Sequence, residues 1–248
     1  MIPKIIHLCW LSGDPYPEKI AKCISTWKKH LPDYEIMLWD TNRFDVNSTR
    51  WTKEAFEARK YAFVADYIRF YAVYNYGGIY LDSDVEMLKS FDSLLGLPYF
   101  VGKECNDRDL EVAAFGAEAG TSWIKECLDY YSDRAFRLPD GTLSDTSCAI
   151  VMRGVLGNKF VRKEICSLSE FSREAGTLCV FPTDYFCAHR VDSSKHESWY
   201  CVSDNTFSVH HFAHSWVKFP GGPLHRLYYK ISGKSWVDHY YPWKLIQE

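Results

Sequence analysis

Two aspartates one residue apart, Asp82 and Asp84, directly follow the short apolar run Ile79-Tyr80-Leu81, and two glycines, Gly77 and Gly78, precede it. At the end of an extended segment, residues i and i+2 project to the same side. The spacing therefore predicts that both carboxylates converge on one point. Converging negative charges repel unless a cation lies between them. One or two carboxylates plus substrate phosphates are a common setting for hard divalent ions such as Mg²⁺ and Mn²⁺. An Asp-x-Asp tripeptide alone equally suits a solvated turn or a helix N-cap. A metal–diphosphate site is favoured by the context: open α/β sheets bind ligands where buried strands end.

Two further groups could serve such a site. Asp66 and Arg69 stand three apart on one helical face, as an ordinary surface ion pair or as a charged pair beside the acids. Near the C-terminus, His210, His211 and His214 fall within five residues. Read as a strand, that stretch puts His210, Phe212 and His214 on one face and His211 on the other. A lone histidine is most often a hydrogen-bonded, half-buried ring; the cluster can instead deliver one imidazole to a metal held by aspartates. The sequence does not choose among the three rings.

The elements that must position these groups read as alternating strand and helix. Residues 4–8 predict a strand, Pro17 to His30 a helix closed by Pro32, and residues 34–39 a second strand ending in Asp40. Strand, helix, strand at this spacing predicts a βαβ unit with a parallel pair. A long helix is expected from about Thr52 to Asn75, running into Gly77-Gly78. Strands are expected near 99–102 and 112–115, a helix from Ser122 to Tyr131 and a turn at Asp140-Gly141-Thr142. Residues 151–160 and 179–181 are ambiguous. With no repeat or linker evident, a single domain over 1–248 is expected, with halves of about 1–120 and about 121–248.

Bulk properties exclude some classes. The 248 residues suffice for a substantial core, and a net charge of −3 argues against general nucleic-acid binding. Aromatics at 17% suit stacking on sugars or bases, or a bulky core. Nine scattered cysteines without a C-x-x-C pair predict reduced thiols. The start reads without a secretory leader and no run suits a membrane span, so a cytoplasmic protein is expected. From Lys218 to Glu248 five basic residues oppose two acids, among aromatics. That tail suits peripheral contact with an anionic inner membrane face, or a solvated helix or dimer contact.

Four blocks in order resemble the family 32 glycosyltransferases, the DXD-containing sugar transferases of the capsular polysaccharide and initiating α-1,6-mannosyltransferase type. They are Ile2-Pro3-Lys4-Ile5-Ile6-His7 with Trp10, Ala65-Asp66-Tyr67-Ile68-Arg69, Tyr76 through Asp84, and His210 through Trp216. The resemblance implies an α/β GT-A fold with a mostly parallel sheet flanked by helices, a UDP- or GDP-sugar donor, Mn²⁺ or Mg²⁺, and retention of anomeric configuration. It implies that Trp10 stacks on the donor base, that Asp66 and Arg69 hold donor sugar hydroxyls, and that Tyr80 lines the nucleotide. Asp82 and Asp84 would engage metal, ribose and diphosphate; His210 would complete the metal ligands, and Ser215-Trp216 would close over the diphosphate. The chain departs from the family at Ala65, where a serine is frequent, and at His214, where glycine is frequent. Asp145-Thr146 is a weak acceptor-side candidate. The expected function is transfer of a hexose or N-acetylhexosamine to a glycan or lipid-linked saccharide in surface polysaccharide synthesis. The alternatives are a nucleotide-sugar hydrolase or other metal-dependent diphosphate enzyme, and a non-catalytic carbohydrate-binding protein. A Walker-type phosphate loop is absent from the sequence.

Overall fold

The structure, a computed structural model, describes residues 1–192 and 197–213. The chain opens with the expected βαβ unit. Strand β1 (Ile5–Cys9), helix α1 (Glu18–His30) and strand β2 (Glu35–Trp39) place β1 and β2 parallel, Ile6 beside Ile36 and Leu8 beside Leu38. Then come α2 (Arg50–Glu57), α3 (Tyr61–Tyr76), β3 (Gly78–Leu81), β4 (Val85–Met87), β5 (Tyr99–Phe100) and β6 (Ala114–Ala117). The main sheet has the order β2-β1-β3-β6-β5. β3 pairs parallel with β1, whereas β6 runs antiparallel to both β3 and β5. Four of the five strands thus share one direction, giving the expected mostly parallel α/β sheet.

Because side chains alternate along a strand, the sheet feeds two cores. Ile79 and Leu81 of β3 join Ile6, Leu8, Phe100 and the α1 residue Trp27 on one face. Tyr80 points to the other, among Trp39, Phe115 and the α3 residues Val64, Ile68 and Val73. Trp27, Trp39, Trp51 and Trp123 are each at most 1% exposed. Much of the aromatic excess therefore fills these cores, where a large side chain contributes about 1.5–3 kcal/mol on burial.

The second half adds α4 (Ser122–Asp129), α5 (Cys148–Gly157), the parallel pair β7 (Val161–Glu164) and β8 (Thr177–Val180), α6 (Thr183–Phe186), the antiparallel pair β9 (His189–Asp192) and β10 (Glu197–Tyr200), and β11 (Ser208–His210). The ambiguous stretches thus resolve into α5 and β8. β11 pairs antiparallel with β4, His210 opposite Val85. The opposite edge of β4 is closed by α1: Trp27 Nε1 donates to the Val85 carbonyl, and the Met87 N–H donates to Thr26 Oγ1. This small ribbon is therefore held from both sides.

Three expectations need correction. The single helix over 52–75 is two, because Arg59 adopts φ 57°. Lys60 N–H then bonds the Ala55 carbonyl and Arg59 N–H that of Phe56, a Schellman ending in which arginine takes the place usually held by glycine. The histidine strand stops at His210, since Phe212 has φ 49°. Finally, β3 and β4 are joined by a tight turn, Val85 N–H to the Asp82 carbonyl, so strand alternation does not set the two acids.

All nine cysteines are unpaired. Among the described residues, no helix is long and apolar enough to cross a membrane.

Candidate active site

The site begins with two glycines. Gly77 (φ 65°) ends α3 with its N–H on the Val73 carbonyl, and Gly78 (φ 102°) starts β3. A Cβ on Gly78 would lie 2.7 Å from the Ile5 carbonyl oxygen, so only glycine lets β3 press against β1 here. The helix thereby returns directly beneath the strand that carries Asp82. Since β1 and β3 are parallel, Trp10 and Asp82 leave the sheet at the same, carboxyl, end.

Under Asp82 lies a charged floor. Arg69 donates through one terminal nitrogen to Asp66 Oδ1 at 2.9 Å, and through the other to the Val112 carbonyl at 2.8 Å and Asp82 Oδ2 at 3.3 Å. Its guanidinium sits over the Tyr80 ring, 4.7 Å from the centroid. Tyr80 in turn donates its hydroxyl to Asp82 Oδ1 at 2.8 Å. Burial pushes the Asp66 carboxyl up to about 6 against the opposing charge of Arg69. Burial also works against the charge of Arg69, but Asp82 leads the groups that keep it protonated.

These contacts alter the expected division of labour. Asp66 and Arg69 are 7% and 4% exposed, and Tyr80 only 1%. Tyr80 was expected to line a nucleotide; in this packing it is enclosed and instead fixes the rotamer of Asp82. Asp66 and Arg69 form the floor beneath Asp82. The accessible carboxylate is Asp82, whose side chain is 26% exposed.

Asp84 reaches the same point from the turn. Its Oδ2 accepts the Ala213 N–H at 2.7 Å, and its carbonyl accepts the His211 N–H. His210 Nε2 lies 3.8 Å from Asp84 Oδ1. Ligand atoms of Asp82, Asp84 and His210 all fall within 4.8 Å of one another. Two carboxylates and one imidazole, open on the Asp82 side, fit a six-coordinate divalent ion with positions left for phosphate and water; the nitrogen ligand suits Mn²⁺ better than Mg²⁺.

Of the two described histidines, local geometry brings His210 to the acids. His210, at the end of β11, stacks on Phe212 with centroids 3.8 Å apart. His211 turns the other way, to Glu86. His214, Ser215 and Trp216, and the basic tail after Lys218, lie outside the described residues. Trp10 is half-buried, its Nε1 donating to the Asp14 carbonyl and its ring edge-on to Tyr16. Asp145 and Thr146 lie just before Ser147, the N-cap of α5, whose first-turn Cys148 amide bonds Asp66.

One group was missed by reading the sequence. Glu111 is fully buried, with Oε1 3.3 Å from His210 Nδ1. Burial disfavours a charged His210, but Glu111 and Asp84 outweigh it and raise the ring to about 9 in the absence of a cation. The same pairing holds the Glu111 carboxyl below its ordinary value despite burial. The usable signal was an acid standing at the head of the apolar run Val112 to Ala117. Cys187 adjoins Glu111 and His210, but burial raises its thiol far above the ordinary range and its Sγ donates to the His189 carbonyl. That trio is a buried network rather than a cation cage.

Part of the chain is similar to known glycosyltransferases. Over 104 residues the chain is 36% identical to inositol phosphoceramide mannosyltransferase 3 of Schizosaccharomyces pombe, covering 40% of this chain and 29% of that protein. It is 34% identical over 110 residues to mannosyl phosphorylinositol ceramide synthase SUR1 of Saccharomyces cerevisiae, covering 42% and 28%. The match thus spans under a third of each of these relatives. Among solved structures, PaToxG glycosyltransferase superposes with a TM-score of 0.46 at 18% identity, over 63% of this chain and 68% of that one. Galactosyltransferase LgtC, solved with donor and acceptor sugar analogs, gives 0.38 at 12%, over 60% and 69%. Residues 17–101, from α1 to β5 and including both acids, match the family described as the glycosyltransferase sugar-binding region containing the DXD motif.

Proposed function

We propose that the chain is a metal-dependent, retaining glycosyltransferase with a GT-A arrangement, moving a hexose from a nucleotide-sugar to a hydroxyl of a lipid-borne acceptor. The observation that carries the reading is the convergence of Asp82, Asp84 and His210 at the carboxyl end of the parallel strands, over the Asp66–Arg69–Tyr80 floor. A divalent ion there supplies positive charge to the departing diphosphate, most where its negative charge grows. The chain's own residues do the rest. Arg69 and Tyr80 hold Asp82 at a fixed position, so little reorganisation is needed when the donor arrives. Trp10, at the same end of the sheet, offers a half-exposed ring for the base.

The relatives' names favour a lipid acceptor and a mannosyl donor over the capsular setting expected from sequence, since one is an inositol phosphoceramide mannosyltransferase and the other a mannosyl phosphorylinositol ceramide synthase. Peripheral membrane contact through the basic tail after Lys218 belongs to this reading, as does a cytoplasmic location. A thermal-shift series across UDP- and GDP-sugars, with and without Mn²⁺, tests it. A nucleotide-sugar should raise the melting temperature only when Mn²⁺ is present. Stabilisation by saccharides alone, independent of nucleotide and metal, would instead favour a carbohydrate-binding protein.

A further inference from the structure

His210 lies between two acids on opposite edges of its ring. Nε2 faces Asp84 at 3.8 Å, on the side of Asp82, and Nδ1 faces Glu111 Oε1 at 3.3 Å. Glu111 is fully enclosed, reached from the Asp109–Val112 segment that leads into β6, with its own N–H on the Gly102 carbonyl. A carboxylate so placed is costly unless something cationic or a donor set answers it. Among the described residues no lysine or arginine pairs with it. Its partners are the Ala113 N–H at 2.7 Å and the ring of His210, with the Cys187 sulfur nearby. Nor is the arrangement complete: His210 Nδ1 and Glu111 Oε2 are both buried without a well-aligned hydrogen bond. A buried acid, a facing imidazole and two unsatisfied polar atoms mark a contact whose hydrogen bonding is incomplete in this structure.

A metal-bound histidine commonly gives its other ring N–H to a carboxylate, which fixes both tautomer and ring orientation. We propose that Glu111 is a positioning residue for this site: its carboxylate holds the His210 proton on Nδ1 and leaves Nε2 bare for the cation beside Asp82 and Asp84. It touches neither donor nor acceptor and acts through the ring alone. This inference rests on the cation reading given above and assigns a role to a residue outside the matched 17–101 region.

The test is Mn²⁺ binding to the full chain, followed by calorimetry and by loss of the free-ion paramagnetic resonance signal. Glu111→Gln keeps an oxygen for the Ala113 N–H but removes the charge. It should weaken Mn²⁺ binding about 10–100-fold, the range typical for such outer partners, without nucleotide or acceptor present. Glu111→Asp, which restores the charge, should recover part of the loss. A Glu111→Gln protein that melts like wild type and binds Mn²⁺ within about twofold overturns the proposal, provided Asp84→Asn has lost binding. If wild type itself binds no Mn²⁺, the cation reading falls and this assignment with it. A readout needing no variant of Glu111 is the long-range proton–nitrogen spectrum of wild type with Zn²⁺ as a diamagnetic probe. The His210 ring, assigned by its loss in His210→Gln, should carry its proton on Nδ1 and shift at Nε2. A proton on Nε2 with the metal at Nδ1 refutes the arrangement.

Discussion

Two acid–histidine pairs hang from the same short ribbon of β4 and β11, and they are built to opposite ends. On one side His211 and Glu86 are both fully buried; Nε2 is bonded to Glu86 Oε2 at 2.9 Å and Nδ1 to the Tyr200 hydroxyl at 2.9 Å. Both ring nitrogens are answered. On the other side His210 faces Glu111 and Asp84 at 3.3 and 3.8 Å, with Nδ1 poorly aligned and Asp82 open beyond. The residue types are the same, and the two rings are chain neighbours. What separates them is completeness. A fully satisfied buried network rigidifies a core, whereas a partly satisfied one facing an opening is poised for a ligand.

The largest expected effect lies on the completed side. His211→Ala removes the ring donor from a buried carboxylate and should cost about 3–5 kcal/mol of stability, measured by urea unfolding. His211→Gln, which keeps a donor, should cost less. Folded His211→Ala protein should still show Mn²⁺-induced stabilisation. If the alanine variant instead unfolds like wild type but loses Mn²⁺ binding, the two sides have been assigned the wrong way round.

Next in size is the open side. Asp82→Asn or Asp84→Asn keeps the shape and removes one charge. Sugar transfer should fall by about 10²–10³, the range seen when one preorganised electrostatic contact is removed, or ~2.7–4 kcal/mol in the barrier. Unfolding midpoints should scarcely move, since the neighbouring repulsion is relieved as one contact weakens. Near-normal turnover in either variant would break the comparison at its functional end.

How much of this was legible beforehand follows from how local each signal is. The β1–α1–β2 unit was readable because periodicity and Pro32 act within a few residues of what they determine. The α3–β3 junction was readable through Gly77-Gly78, since only glycine serves at Gly78. The break at Arg59 was not, because arginine adopts the left-handed conformation there and leaves no compositional mark. The acids' convergence was anticipated for an incomplete reason: a turn, rather than strand alternation, brings Asp84 round. The selection of His210 over His211 needed the pairing of β11 with β4, 125 residues apart at Glu86 and His211. Glu111 was overlooked because its role depends on three segments meeting, and its one local mark, an acid before an apolar run, suits a loop residue as well.

A third histidine sharpens the comparison at the smallest scale. His7 is fully buried, with no acid beside it among the described residues: Nδ1 accepts from Trp39 Nε1 at 3.1 Å, and Nε2 contacts the Gly77 carbonyl at 2.7 Å. Those partners demand a neutral ring with its proton on Nε2. Burial, and then the charge of Arg43, overcome the Gly77 contact and lower the ring to about 4. The unfolded ring titrates near 6.5, so its contribution is fully present above that pH and is lost as pH falls from about 6.5 towards 4. Between pH 7.5 and 5 the loss should be about 2 kcal/mol. Glu104 and Asp66, raised by burial to about 8 and about 6, act in the opposite sense. They act so in any His7 variant as well, and cancel in a difference. Unfolding free energies of wild type and His7→Gln across that pH range should therefore converge as the medium is acidified. Parallel curves would mean that this ring titrates alike in the folded and unfolded chain, and that a missing carboxylate does not by itself keep a buried histidine neutral.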